Sequence, residues 1–308
     1  MKTGYGFETT GDEILEGIDL SRKRIVVTGS TSGIGAETVR VLASAGAEVT
    51  MAVRNVEIGK EVATQIMEAT GNRKIDVRQL DLSDFNSVQN FISNWNGPLD
   101  VLINNAGVMA IPYLQRTPEG IEMQFMTNYL GHFALSLGLR KFLAEAAAPR
   151  IVMVSSSGHL ISPVLYDDVN FDFIGYDPWL SYGQSKTACI LFAVAASKRW
   201  RQDRIIVNSL NPGAILTNLQ KHVGGKLRTA PEFQKTVREG AATSILLAAS
   251  PLIAKTSGKY FEDCNEAEVV TKRPDRFAGL AKYAQDPDSA ERLWNLSIEM
   301  TEKMRNGG

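Results

Sequence analysis

The amino-acid sequence predicts an α/β protein built as one doubly wound, mostly parallel sheet of seven strands, with helices on both faces. Three observations carry that expectation. From Arg24 onward short β-branched runs alternate with longer helical patterns, as βαβ units with right-handed crossovers do. The first, fourth and fifth runs are near-continuously apolar, as strands covered on both faces should be. The first run also ends in a glycine-rich turn that opens a helix.

The elements follow in chain order. Residues 1–22 read as an N-terminal arm. Within it Thr10-Gly11-Asp12-Glu13 has the form of a capping box opening a short helix near Ile14 and Leu15; a loosely packed surface tail is the alternative. Strands are expected over Ile25–Thr28, Ala47–Val53, Lys74–Leu80, Leu99–Ile103, Arg150–Val154, Ile205–Leu210 and Lys259–Phe261. Helices are expected over Ile34–Ala45, Val56–Ala69, Phe85–Trp95, Glu119–Ala147 and Tyr182–Trp200. Past about Lys272 the pattern loosens, and Ser289–Met304 reads as a final amphipathic helix. No linker divides residues 23–308, so they read as one catalytic domain whose C-terminal extension covers about 272–308.

Composition narrows the function. Of 308 residues, 44% are hydrophobic and 22% charged, which excludes a disordered or collagen-like chain. Thirty-three Lys+Arg against 34 Asp+Glu leave a net charge of −1, with no basic footprint of a nucleic-acid binder. Cys189 and Cys264 cannot make a disulfide framework in a chain this long, and Cys189 in its apolar run reads as a buried thiol. His132, His159 and His222 are widely spaced, so no metal site is expected. No stretch reaches the ~18 uninterrupted apolar residues of a membrane span, and the N-terminus lacks the pattern of a secretory signal. A soluble, cytoplasmic protein is expected.

The glycine turn carries the first chemistry. In Thr28-Gly29-Ser30-Thr31-Ser32-Gly33-Ile34-Gly35, Gly29 permits the tight turn, Gly33 lets backbone approach a pyrophosphate, and Gly35 lets the helix sit close. The helix N-terminus offers N–H donors and positive potential to phosphates. This is the strand–turn–helix context of a Rossmann dinucleotide site. The spacing is Gly-x-x-x-Gly-x-Gly, and here the chain resembles the short-chain dehydrogenase/reductase family. Further matches follow in family order: Asp81-Leu82, Asn104-Asn105-Ala106-Gly107, Ser156, Tyr182-Gly-Gln-Ser-Lys186 and Asn211-Pro212-Gly213. Each ends a strand or opens the following helix, where open α/β sheets bind ligands.

The second strand lacks the acidic residue that would bond an NAD ribose; Val53 stands there and Arg54 follows. Arg54 offers a fork of donors to a 2′-phosphate, which favours NADP(H); a solvated surface arginine is the alternative. The resemblance implies that Asp81 contacts the adenine amino group and that Leu82 and Asn105-Ala106-Gly107 lie on the adenosine side. It places Ser30, Ser32 and Ile34 in the phosphate turn. It assigns Pro212, Gly213, Ile215 and Thr217 to the loop that closes on nicotinamide.

Tyr182 and Lys186 are four residues apart and share a helix face. Free tyrosine titrates near 10, too high for acid–base work at neutral pH, and a neighbouring ammonium favours the phenolate. The run Ser155-Ser156-Ser157 leaves three candidates by spacing alone; the family pattern favours Ser156. By resemblance Lys186 also bonds the nicotinamide ribose, and Asn128 holds a water connecting the lysine to solvent. Tyr182, Lys186, Ser156 and Asn128 thus form the expected catalytic set. The implied reaction passes hydride between nicotinamide C4 and a hydrophobic ketone, aldehyde or secondary alcohol, with Tyr182 moving the proton and Ser156 stabilising developing charge.

Two segments bear on the substrate. Asn218 to Pro231, with Gly224-Gly225 and several charges, is a candidate lid or a bland surface loop. Ser156 and Tyr182 are 26 residues apart, about twice the family's usual interval. The intervening Tyr166, Phe171, Phe173, Tyr176 and Trp179 read either as a wall for a bulky apolar substrate or as anchors of a long loop. The long loop, Ser157-Gly158-His159, Gly258–Cys264 and Glu291–Asn295 resemble the retinol-dehydrogenase and WW-domain-oxidoreductase branch. His159 reads as a loop histidine, with substrate contact as the alternative. The resemblance implies a small-molecule substrate and a homodimer or homotetramer, a monomer being the alternative. An NADP(H)-binding sensor without turnover is the second reading, against which the chain keeps both Tyr182 and Lys186.

Overall fold

The computed structural model describes residues 1–306. A capping box between Thr10 and Glu13 opens a short helix, α1 (Gly11–Ile14), as its sequence predicts. The repeating units then follow: β1 (Arg24–Thr28), α2 (Gly33–Ser44), β2 (Glu48–Val53), α3 (Val56–Thr70), β3 (Ile75–Gln79), α4 (Phe85–Ser93) and β4 (Val101–Asn104). The Asn55 side chain caps α3, and Gly71 ends it in the left-handed region at φ 71°, where a residue without Cβ carries no strain.

The single helix expected over Glu119–Ala147 is broken. A short turn, α5 (Met123–Phe125), runs into a π-turn over Met126–Leu130, and α6 (Gly131–Ala144) continues from it. Next come β5 (Arg150–Val154), α7 (Pro178–Arg199) and β6 (Ile206–Asn211). Asp177 caps α7 with Pro178 at its first position, so the helix starts before Tyr182. Two short strands, β7 (Ala214–Ile215) and β8 (Gln234–Lys235), pair with each other.

Helix α8 (Val237–Ala249) was not expected from periodicity, although Thr236 and Glu239 form its capping box. It makes the crossover that a parallel β6–β9 pair demands. Strand β9 (Tyr260–Glu262) turns through Asp263-Cys264 into β10 (Asn265–Glu266). A parallel pair, β11 (Val269–Val270) and β12 (Leu280–Ala281), precedes α9 (Pro287–Asn306).

The main sheet has order β10-β9-β6-β5-β4-β1-β2-β3. Its seven expected strands are parallel; the eighth, β10, is an added antiparallel edge. Alternation sorts the core: Ile25 and Val27 face α2 and α8, whereas Val26 faces α4, α6 and α7. On that second face α9 closes the layer. Trp294 packs edge-on to Phe133, centroids 5.0 Å apart, and to Trp200 at 5.5 Å. Among the described residues no helix is long and apolar enough to cross a membrane.

Candidate active site

Register brings the carboxyl ends of the strands level. Thr28 pairs with Ala52, and Asn104 with Met153. The turns that follow β1, β4, β5 and β6 therefore open on one crevice.

Gly29 has φ 64°, and a Cβ on it would lie 2.7 Å from the Ala106 Cα. Only glycine lets the two strand-end turns touch. At Gly33, with φ 56°, a Cβ would lie 3.1 Å from the Thr217 methyl group, so the phosphate turn and the loop after β6 meet across it. At Gly35 a Cβ would fall 2.5 Å from the Gly29 carbonyl and 2.6 Å from the Asn105 amide. The helix start is thus packed on the turn itself rather than on the sheet. Ser32 precedes α2 but makes no side-chain cap. Its hydroxyl accepts a long bond from the Asn218 amide, and Ile34 follows within the first turn. Ser30 turns inward, donating to the Val27 carbonyl, so any ligand would meet its backbone.

The residues expected on the adenosine side are each held by the protein. Asn105 donates to the carbonyls of Thr28 and Gly29. Asp81 holds Ser83 through Oδ1, and buried Leu82 presses its carbonyl against Gly131. Arg54 is exposed at the end of β2 and makes no ion pair among the described residues. A turn lined by glycines, an uncapped helix start and an unpaired guanidinium together form a donor set that fits a phosphorylated dinucleotide.

At the reacting end Ser155 and Ser156 differ in their bonding. The Ser155 hydroxyl is buried and donates to the Lys186 carbonyl, whereas Ser156 is half-buried and its oxygen accepts from Gly158 N–H at 3.0 Å. Gly158 lies between Ser156 and the tyrosine: a Cβ there would sit 2.6 Å from Tyr182 Cε1 and 3.4 Å from Ser156 Oγ. Lys186 Nζ stands 5.6 Å from the centre of the Tyr182 ring. It donates to the Val154 carbonyl at 3.1 Å, and its other N–H bonds are free for a ligand. Asn128 lies behind it. Its Oδ1 accepts from Val108 N–H at 2.7 Å, and its amide donates to the Val108 carbonyl and to Ser185 Oγ. Its backbone carbonyl takes His132 and Cys189. Asn128 is thereby committed to protein partners and acts here as a brace.

The loop after β6 is held by its neighbours. Pro212 precedes Gly213, which has φ 101° and packs against the Lys235 stem. Ile215 is buried in β7, and Thr217 caps a short 3-10 helix over Asn218–Val223. The lid candidate therefore carries ordered structure.

The aromatic segment divides. Only Trp179 reaches the tyrosine, its ring 6.3 Å from that of Tyr182. Tyr166 bonds the Ser289 carbonyl, Phe171 packs on Tyr176, and Phe173 is 91% exposed. Four of the five are anchors or surface. The apolar wall is instead Met109, Ala110 and Trp179 with Leu219 and Val223. Sequence reasoning missed Met109 and Ala110, and also Gln124, which with Tyr176 holds their segment through Ala110 N–H and the Ile111 carbonyl. Ala110 has φ 51°; the signal was the continuation of the Asn-Asn-Ala-Gly turn. His159 is turned into the protein. It is fully buried, bonds the Ser156 carbonyl and accepts from Ala281 N–H, and burial pushes it down to about 4.

With this geometry in place, comparison with known proteins is informative. A family model described as short chain dehydrogenase matches residues 23–227. A probable oxidoreductase of Streptomyces antibioticus is 49% identical over 92% of this chain and 98% of its own. Human retinol dehydrogenase 12 is 37% identical over 92% of this chain and 87% of its own. An uncharacterised Mycobacterium paratuberculosis protein of known structure superposes with a TM-score of 0.73, at 32% identity over 92% and 95% of the two chains. An Escherichia coli short chain dehydrogenase solved with NADPH gives 0.62, at 25% identity over 79% and 97%.

Proposed function

Since the chain belongs to the short-chain dehydrogenase/reductase family, we propose that it is an NADP(H)-dependent oxidoreductase. It interconverts a bulky hydrophobic ketone or aldehyde and the corresponding alcohol. The observation that carries this reading is the convergence of Ser156, Tyr182 and Lys186 at a crevice whose other end is an open phosphate turn. When bound, the nicotinamide supplies or accepts the hydride.

The chain's own groups do the rest. Arg54 and the start of α2 hold the phosphates. Lys186 holds the nicotinamide ribose and favours the phenolate of Tyr182. Tyr182 gives its proton to the carbonyl oxygen in reduction and takes it back in oxidation. The Ser156 hydroxyl, already accepting from Gly158 N–H, is left to donate to that same oxygen. Met109, Ala110, Trp179, Leu219 and Val223 exclude water and select apolar substrates. Retinol, in the name of one relative, is an alcohol of that kind.

The test is oxidation of NADPH, followed at 340 nm, against a panel of ketones and aldehydes of increasing apolar bulk. Turnover that rises with bulk supports the reading. Tight NADPH binding with no turnover on any member would favour the sensor instead.

A further inference from the structure

We propose that His132 is a positioning residue: its Nδ1–H imidazole locks the turn that receives the cofactor to the helix position that carries Asn128.

The bonding leaves one arrangement. His132 is 1% exposed. Its Nδ1 lies 3.0 Å from the Asn128 carbonyl oxygen; a carbonyl only accepts, so Nδ1 carries the hydrogen. Nε2 is then an acceptor, 2.9 Å from Thr28 Oγ1. That hydroxyl already accepts from Asn105 N–H at 2.9 Å and Ala106 N–H at 3.0 Å. Its two lone pairs are used, and its single proton goes to the imidazole rather than to the Ile103 carbonyl at 3.5 Å. A directed chain results, from two backbone amides after β4, through Thr28 at the end of β1, to His132 and on to Asn128.

The far end explains what the chain is for. Asn128 sits in the π-turn, a wider coil often found at functional sites. Its side chain holds Val108 and Ser185, the residue before Lys186. Moving Asn128 would therefore move both the segment that leads to Met109 and the turn that carries the lysine. Burial and the charge of Lys186 push His132 down to about 4, so it stays neutral near pH 7. A cationic ring would turn an N–H toward a hydroxyl with no lone pair left to offer.

The inference rests on the cofactor reading above, and the experiment separates the two. NADPH titration of the parent protein, without substrate, tests that reading alone. Nitrogen-15 spectra of the unliganded protein test the tautomer alone, and His132 is expected to be protonated on Nδ1 only. His132→Phe keeps a ring and removes both bonds; it should raise the NADPH dissociation constant about tenfold or more, the equivalent of one to two lost hydrogen bonds. His132→Gln presents an N–H and a carbonyl from one amide and should recover to within about threefold of the parent. Thr28→Val cuts the same chain from the other end; combined with His132→Phe it should add nothing beyond the larger single effect. The proposal falls if His132→Phe binds NADPH within about twofold of the parent, if the glutamine variant is as impaired as phenylalanine, if the double loss is the sum of the singles, or if the proton sits on Nε2. A parent that binds no NADPH while His132 shows the Nδ1–H form overturns the cofactor reading and the positioning proposal's purpose, but not the lock itself.

Discussion

The two halves of the crevice are built by different means. On the cofactor side, short turns follow β1, β2 and β4, and backbone geometry decides them. Gly29 and Gly35 have no room for a Cβ, and the Asn105 amide holds two carbonyls within the same turn. On the substrate side, long connections hold one another through side chains far apart in sequence. Arg116 bonds Asn170, Phe171 and Asp172; Tyr166 reaches Ser289; His159 reaches Ala281, and Tyr283 returns to the His159 carbonyl. Short turns restrict which residue types fit, so they announce themselves. Long connections restrict only who meets whom.

The largest effect expected lies where the halves join. Tyr182→Phe removes the proposed proton-transferring group and leaves the phosphate turn untouched. Turnover should fall by about three orders of magnitude or more, while NADPH binding stays within about twofold of the parent. Steady-state rates and a fluorescence titration check both. Equal losses in the two measurements would mean that the halves are not separable at this residue.

The next effect belongs to the cofactor half alone. Arg54 is exposed and without an ion-pair partner among the described residues, so its removal leaves no buried charge behind. Arg54→Ala should weaken NADPH by about tenfold to a hundredfold, the scale of charge-assisted hydrogen bonds, and NADH by less than about twofold. Equal losses for both cofactors would remove the phosphate assignment. A smaller change is expected in the substrate half. Trp179→Ala takes away the aromatic ring that packs edge-on to Tyr182 from a partly exposed wall. KM for the bulkiest ketones should rise about three- to tenfold, as one apolar contact is worth, with smaller ketones and NADPH unaffected.

Legibility follows the same division. The alternating elements, the glycine turn and the Tyr182–Lys186 spacing were readable because each is a local rule. Helix α8 was not, since Gly240-Ala-Ala-Thr-Ser is small and buried all round and shows no apolar stripe; the Thr236–Glu239 box was the cue. The break before α6 was invisible because Met126–Leu130 reads as ordinary helix. The five aromatics were read by composition, yet their partners, Ser289, Tyr176 and the exposed surface at Phe173, are set by tertiary packing. His132 carried no sequence signal, because its partners Thr28 and Asn128 flank it from two separate elements.

The smallest effect tests whether the substrate half is sealed. His159 is held near 4 by burial, against about 6.5 in an unfolded chain. Between those values the unfolded chain binds more protons than the folded protein. The stability that the neutral ring contributes is therefore present above about pH 6.5 and is lost as the pH falls toward 4. One pH unit below 6.5, at pH 5.5, the loss is about 1 kcal/mol for this one group. His132 contributes in the same sense. Glu122 and Glu262, whose carboxyls burial pushes up, contribute in the opposite sense, so the parent's own pH profile mixes several groups. A difference isolates the ring. His159→Phe should be less stable than the parent at pH 7, having lost bonds to Ser156 and Ala281. That deficit should shrink by about 1 kcal/mol at pH 5.5, read from denaturant unfolding at both pH values. A deficit unchanged between them would mean that the imidazole takes up protons as freely folded as unfolded. The contact between the Ser156 turn and the segment around Ala281 would then be open to water, and the substrate half would be as loosely held as its long connections suggest.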